Sequence, residues 1–228
     1  MRILALETSC ERGSIALWHD GRVVERALDG AAAGHSASIL PAIRHLLVET
    51  DTPIAALDAI AFGSGPGAFT GLRLACGVAQ GLALGGGKPV APVGSLLALA
   101  EPVDAEFIYC AADARMNEAY VAMFQRRNGA LVAVGEAVCV PPDAVPLPEQ
   151  VGWQGVGTAF KVYATVAERL AGRVDVLAPD AVPQAAAVAR LAAARPHTWV
   201  DAAEAAPEYV RNRVALTVAE RLAQGGRA

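Results

Sequence analysis

Residues 2–28, RILALETSCERGSIALWHDGRVVERAL, decide the fold. Arg2–Glu7 is a β-rich run that ends in Thr8–Gly13, a stretch with turn chemistry. Ser14–Trp18 follows, and His19-Asp20-Gly21 then supplies an Asp-Gly pair, which tolerates the positive φ angles of a two-residue hairpin. Arg22–Leu28 completes a three-stranded meander. Beyond a flexible connection at Gly30–Gly34, a helix is expected from Ser36 or Ser38 to Val48. A serine caps it, and Pro41 then falls early, where its missing N–H costs little. Leu40, Ile43 and Leu47 form one apolar stripe, which Ile39 and Leu46 widen. Ala59–Gly63 reads as a strand, Gly63–Gly67 as a tight loop and Thr70–Leu84 as a helix capped by Thr70. Pro89–Val93 is a strand, and Ser95 caps a helix ending near Ala100. Three strands, helix, strand, helix and strand make a ribonuclease-H-like unit.

The second half repeats that order. Phe107–Ala111, Ala119–Gln125 and Leu131–Val140 read as strands, with Asn128-Gly129 turning between the last two. After a Pro-rich connection come a strand at Val151–Gln154, the turn Gly155-Val156-Gly157 and a helix over Ala159–Leu170 capped by Thr158. A strand at Val174–Leu177 and an Ala-rich helix to about Ala194 finish the repeat. The expected architecture is α/β: an actin-like, two-lobed fold of tandem βββαβαβ units, each a mixed sheet flanked by helices. Residues 1–103 form the first lobe, 104–206 a smaller second lobe, and 207–228 a tail that packs back on the first.

Composition narrows the function. Of the 228 residues 54% are hydrophobic and 18% charged, enough for a packed core. The net charge is −4, and the nearest basic cluster, Arg211, Arg213 and Arg221, is diluted by Glu208 and Glu220. Strong unaided RNA binding needs a basic face, so this chain is not expected to grip RNA alone. Cys10, Cys76, Cys110 and Cys139 are far apart and form no C-x-x-C, which suits buried thiols in a reducing cytosol. The longest apolar run, Leu74–Gly87, is too short to span a bilayer, and no signal peptide precedes Ile3. A cytoplasmic, soluble protein with no membrane contact is expected.

Actin-like enzymes hold phosphates on one hairpin turn per lobe, through backbone N–H groups aimed at the anion. Here the first turn, Glu7–Gly13, carries two carboxylates, and the second, Asp113-Ala114-Arg115-Met116-Asn117-Glu118, has no glycine. Thr8, Ser9, Gly155 and Gly157 remain weak cleft candidates, and no cofactor is expected. His19, His35, His45 and His197 form no metal-ligand spacing, and no G-x-S-x-G elbow occurs. Gly63-Ser64-Gly65-Pro66-Gly67 leads into a helix N-terminus but lacks the G-K-[ST] ending of a P-loop. It reads rather as a tight strand-to-helix turn with Thr70 as cap. Along Thr70–Leu84 the strongly polar residues are Arg73 and Gln80, seven apart on one narrow face, while Gly77 and Gly81 notch the helix four apart. Two such helices side by side would expose one apolar patch and invite a protein partner; burial under the second lobe is the alternative.

The runs Ile3-Leu4-Ala5-Leu6-Glu7-Thr8-Ser9, Gly65-Pro66-Gly67-Ala68-Phe69-Thr70-Gly71-Leu72-Arg73, Asp113-Ala114-Arg115-Met116 and Pro207-Glu208-Tyr209-Val210-Arg211-Asn212 resemble the TsaB (YeaZ) family, in order, over almost the whole chain. Ala68 departs from the serine usual there. The catalytic paralogue TsaD opens similarly but is longer and carries paired metal histidines and a Gly-Gly-His turn absent here. The resemblance implies a non-catalytic subunit that pairs with TsaD, is joined by the ATPase TsaE, and meets tRNA only within that complex. The activity it would support is threonylcarbamoylation of the adenosine beside the anticodon in tRNAs reading codons that begin with A. Alone, the chain would homodimerise through the same patch. The implied interface comprises His35, Ser36, Ile39, Leu40, Ile43 and Leu47 on the first helix. On the second it comprises Phe69, Thr70, Arg73, Leu74, Gly77, Gln80, Gly81 and Leu84. The rival readings are an actin-like small-molecule kinase and a protease.

Overall fold

In the computed structural model, which describes residues 1–28 and 35–211, two sheets of like topology stand one after the other. The first contains β1 (Arg2–Glu7), β2 (Ser14–His19), β3 (Arg22–Ala27), β4 (Ala59–Gly65) and β5 (Val90–Gly94), in the order β3-β2-β1-β4-β5. The β1–β2 and β2–β3 pairs are antiparallel, and β4 and β5 add in parallel. The second contains β6 (Phe107–Asp113), β7 (Ala119–Arg127), β8 (Ala130–Ala133), β9 (Val138–Val140), β10 (Trp153–Val156) and β11 (Val174–Ala178). Its order is β11-β10-β6-β7-β8, with β9 also on β7. The order of the first sheet therefore recurs in the second.

Local chemistry sets the turns. Asp20 (φ 47°) with Gly21 (φ 87°), and Asn128 (φ 50°) with Gly129 (φ 79°), occupy the two left-handed positions of the hairpins as their residue types suggest. The single strand expected over Leu131–Val140 is instead two pieces, β8 and β9, on the same edge of β7. Gly135, at φ 79°, lies in the break between them.

The helices are α1 (His35–Glu49), α2 (Phe69–Gly86), α3 (Ser95–Ala100), α4 (Ala159–Val162), α5 (Ala164–Leu170) and α6 (Ala185–Ala194). Strand alternation sends Leu4 and Leu6 to the sheet face covered by α1 and α2, and Ile3 and Ala5 to the face covered by α6. That second face is lined mostly by alanine, including Ala16, Ala59, Ala61 and Ala91, so α6 lies close. In the second sheet Ile108 and Cys110 pack with Leu96 and Leu99 of α3, while Tyr109, Val121 and Trp153 pack with Phe160, Val166 and Leu170.

Four expected caps are not formed. α1 begins at His35, ahead of both serines, so Pro41 lies inside it; Ala37, whose carbonyl loses its intrahelical donor, is exposed to solvent. α2 is preceded by Ala68, whose backbone N–H donates to the Ser9 carbonyl (2.7 Å), and Thr70 is already helical. Ser95 turns its hydroxyl to Glu7 (3.1 Å). Thr158 sits in helical backbone and accepts from the Asp113 N–H (2.9 Å). The helix expected over Ala159–Leu170 breaks at Tyr163, which is extended and donates its hydroxyl to Asp113 Oδ1 (2.7 Å).

The lobe limits at 103 and 206 remain an assignment by element order. α6, within 104–206, packs on β1 and β2 of the first sheet. Residues 200–209 also lie on the first lobe: Val200 bridges Val90, and Glu208 N–H donates to the Ser64 carbonyl (2.7 Å). The connection at Gly30–Gly34, and Asn212, Arg213, Glu220 and Arg221 in the tail, fall outside the described residues.

Candidate functional site

Two surfaces are candidates: the cleft between the lobes and the outer face of α2. The cleft, about 840 Å³, is bounded on the first lobe by Ser9, Cys10, Glu11, Arg12 and the start of α2. Across it stand Asp113, Ala114, Arg115, Tyr120, Thr158 and Lys161. Of the four cleft candidates, Ser9 alone lines it. Thr8 is fully buried and spends its hydroxyl on the Gly71 carbonyl (2.8 Å). Gly155 lies under Phe160 and Val174, and a Cβ at Gly157 would overlap the Ala111 carbonyl. These two glycines serve close packing rather than a ligand.

The two phosphate-position turns meet each other. Arg115 ion-pairs with Glu11 across the cleft and with Asp113 (3.2 Å) within its own turn, and Arg12 donates to the Asp180 carbonyl. Arg115, Met116 and Asn117 all have positive φ, between 54° and 60°. A non-glycine residue there crowds its Cβ against backbone, so this turn is strained. Side chains and an ion pair line the two turns on which actin-like enzymes present backbone N–H groups to phosphate. The sequence named the obstruction but not Glu11 as its partner, because the pair joins residues 104 apart.

One of the two carboxylates expected to line the first turn lies behind it instead. Glu7 is fully buried beneath Gly63, accepting from the Ser9 N–H (2.7 Å) and the Ser95 hydroxyl (3.1 Å). Burial raises its pKa, and the hydrogen bonds from Ser9 and Ser95 offset this only in part. The neighbouring Cys10 thiol is pushed up to about 11 by burial and by the Glu7 charge. Neither is arranged as an activated nucleophile. Among the described residues no group of three or more His, Cys, Asp or Glu side chains could hold a metal ion, and no helix is long and apolar enough to cross a membrane.

The second surface is half as expected. α2 buries Gly71, Leu72, Ala75, Cys76, Ala79 and Ala83. It leaves Phe69, Thr70, Arg73, Gly77, Gly81 and Leu84 exposed, Leu84 by 66%, and Leu74 half-buried. A Cβ at Gly77 or Gly81 would meet nothing within 4 Å. Gln80 does not face outward with Arg73 as its spacing suggests; it is half-buried and donates to the carbonyls of Ala202 and Ala205 (both 3.0 Å). On α1 the stripe Ile39, Ile43 and Leu47 points into the core. His35 is fully buried against Gly13, its Nε2 3.4 Å from the Cys10 carbonyl oxygen, so it is not a surface residue. The apolar stripe of an amphipathic helix seeks its own sheet first. Outward on α1 stand Ser36, Leu40 (53% exposed) and Val48 (74%). A shallow groove of about 550 Å³ runs between Leu40, Leu47 and Val48 of α1, Pro53 and Ile54, and Leu82 of α2.

Two ribonuclease-H-like lobes around a cleft define the actin-like class, here with an ion pair, Glu11–Arg115, spanning the cleft. Comparison with known proteins narrows this. The model of the family TsaD: tRNA N6-adenosine threonylcarbamoyltransferase matches residues 29–220. The tRNA threonylcarbamoyladenosine biosynthesis proteins TsaB of Haemophilus influenzae and of Escherichia coli are each 34% identical over 94% of this chain, which spans 95% and 96% of their lengths. A crystal structure from Pseudomonas aeruginosa, of an uncharacterized protein similar to the peptidase YeaZ, superposes with TM-score 0.82 at 36% identity, covering 92% of this chain and 99% of that one. The chain belongs to the TsaB family.

Proposed function

We propose that this chain is a non-catalytic subunit in tRNA threonylcarbamoyladenosine biosynthesis that docks a TsaD-type catalytic subunit on the outer face of α2 and the groove beside α1. A TsaE-type ATPase joins that pair, and tRNA is met only through the assembly, in the cytoplasm. Without the catalytic subunit, the same face supports a homodimer. The observation that carries this reading is the outer face of α2. Phe69 and Leu84 stand exposed at its ends, and Gly77 and Gly81 present bare backbone between them. Each mid-helix glycine costs about 1 kcal/mol relative to alanine, a cost without return in an isolated chain. Closely approaching helices from a partner would recover it.

The non-catalytic part rests on the chemistry of the two cleft turns. The Glu11–Arg115 pair and the side-chain-bearing left-handed turn take the place of phosphate-binding backbone. The net charge of −4 fits a subunit that leaves RNA contact to its partners. Co-purification with a TsaD-type subunit, followed by reconstituted modification of tRNA with and without this chain, tests the proposal. Modification that requires the chain, together with no ATP turnover by the chain alone, supports it. Turnover of ATP or a sugar by the chain alone would refute it in favour of an actin-like kinase.

A further inference from the structure

Residues 200–211 form a strap that touches both candidate surfaces. It is anchored at the edge of the first sheet by the Val200–Val90 bridge. It then runs along α2, where Gln80 holds the carbonyls of Ala202 and Ala205 (both 3.0 Å), and Ala202 and Ala205 are themselves buried. Glu208 donates its N–H to the Ser64 carbonyl, so close to Gly65 that a side chain there would strike the Glu208 carbonyl. At the exposed start of α2 the Tyr209 ring meets Phe69 (5.5 Å between centroids), and its hydroxyl accepts from Arg73 Nε (3.1 Å). Arg73 in turn lies over the Phe69 ring at 3.7 Å. Two residues on, Arg211 reaches the second lobe. Its Nη2 donates to the carbonyls of Ala114 (2.8 Å) and Arg115 (3.3 Å) and pairs with Glu118 (2.6 Å).

Arg211 therefore grips the strained turn from both of its ends. Arg115, Met116 and Asn117 hold left-handed backbone, which a free loop would abandon, and Arg115 spans the cleft to Glu11. The segment is strained and kept in place by a few charged contacts. The stack of Phe69, Arg73 and Tyr209 is the other end of the same short chain, and it lies on the face to which the docking reading assigns the partner.

We propose that the strap is a coupling device. A protein that docks over Phe69 and Arg73 fixes Tyr209, tightens the hold of Arg211 on the 115–117 turn and steadies that wall of the cleft. This rests on the docking reading for its trigger, but the intramolecular linkage between Phe69 and the turn stands independently. By reciprocity, releasing the turn weakens docking by the same factor.

Native-state hydrogen exchange on the full chain tests the linkage. The reporters are the amides of Ala114, bonded to the Glu118 carbonyl (2.9 Å), and of Glu118, bonded to the Arg115 carbonyl (3.1 Å). Arg211→Gln should speed both by roughly tenfold to a hundredfold, the loss expected for charge-assisted bonds. Phe69→Ala, a change at an exposed site on the other lobe, should speed the same two amides by a few-fold and leave the 128–129 hairpin unchanged. Acceleration in both variants supports the coupling. If Phe69→Ala leaves the turn unaltered, the coupling is overturned, whatever Arg211→Gln does. Adding a TsaD-type subunit should slow the two amides in the wild type and not in Arg211→Gln. Slowing that survives Arg211→Gln would mean direct coverage and would overturn the proposed route. Absence of any association would refute the docking reading while leaving the Phe69 result to decide the linkage.

Discussion

Three glycines on one helix should respond to substitution with opposite signs. Gly77 and Gly81 sit mid-helix in α2 with nothing within 4 Å of a built Cβ, so alanine at both removes two helix penalties of about 1 kcal/mol each without steric cost. At about 2–4 °C per kcal/mol for a chain of this size, the double variant should melt roughly 4–8 °C higher. Gly71, one turn into the same helix, meets the Thr8 carbonyl where its Cβ would be, so Gly71→Ala should cost about 1–3 kcal/mol or more. Gly77→Arg carries the argument from stability to association. Arginine is nearly as good a helix former as alanine, so this variant should melt no lower than wild type, yet a long side chain would hold a partner helix away. If the glycine lies at the centre of the interface, affinity should fall by about 2 kcal/mol, roughly thirtyfold. Thermal unfolding followed by circular dichroism, with calorimetric titration of a TsaD-type subunit, reads both quantities. A lower melting temperature for Gly77→Arg would refute the open-face geometry, and unchanged affinity would remove that face from the interface.

Glu7 should make the chain less stable as pH rises. Its folded pKa lies above the ordinary 4.5, so the folded state holds the extra proton between that value and the raised one. The associated stability is fully present below pH 4.5 and lost as pH climbs through the raised pKa; urea titrations of Glu7→Gln should show that loss abolished, with the variant the more stable at pH 8. Cys10, pushed up to about 11, should react with iodoacetamide at pH 8 roughly a hundredfold more slowly than an ordinary thiol, as its thiolate fraction dictates; peptide mapping that finds it labelled as fast as a free cysteine peptide would contradict this. Met116→Gly should raise stability by up to about 1 kcal/mol, against the usual effect of glycine, because Met116 stands at φ 54°; a urea midpoint below that of wild type would disprove the strain.

The parts legible in the sequence were those written in neighbouring residues. Asp20-Gly21 and Asn128-Gly129 announce hairpins because both positions demand positive φ, and the β-rich run Arg2–Glu7 announces the first strand. Caps were misplaced because hydroxyls had stronger partners elsewhere. Ser95 serves Glu7, and Thr158 serves the Asp113 amide, across sequence gaps of 88 and 45 residues that no local pattern encodes. For the docking face, the notch at Gly77 and Gly81 was readable as an outward feature. The α1 stripe misled, because Ile39, Ile43 and Leu47 satisfy their hydrophobicity on β-strands of their own lobe. The ion pair across the cleft needed the fold, since Glu11 and Arg115 become a pair only when the two lobes face each other.

The late helix α6, laid against the rear of the opening sheet, fixes the order in which the protein can be finished. A ribosome that has released the first five strands still holds back α6, which with Leu97 and Ala98 of α3 covers the rear of that sheet around Ile3, Ala5, Ala16 and Ala61. The two repeats, alike in drawing, are thus interlocked: α6 of the second closes a face of the first, and Leu96 and Leu99 of the first enter the core of the second.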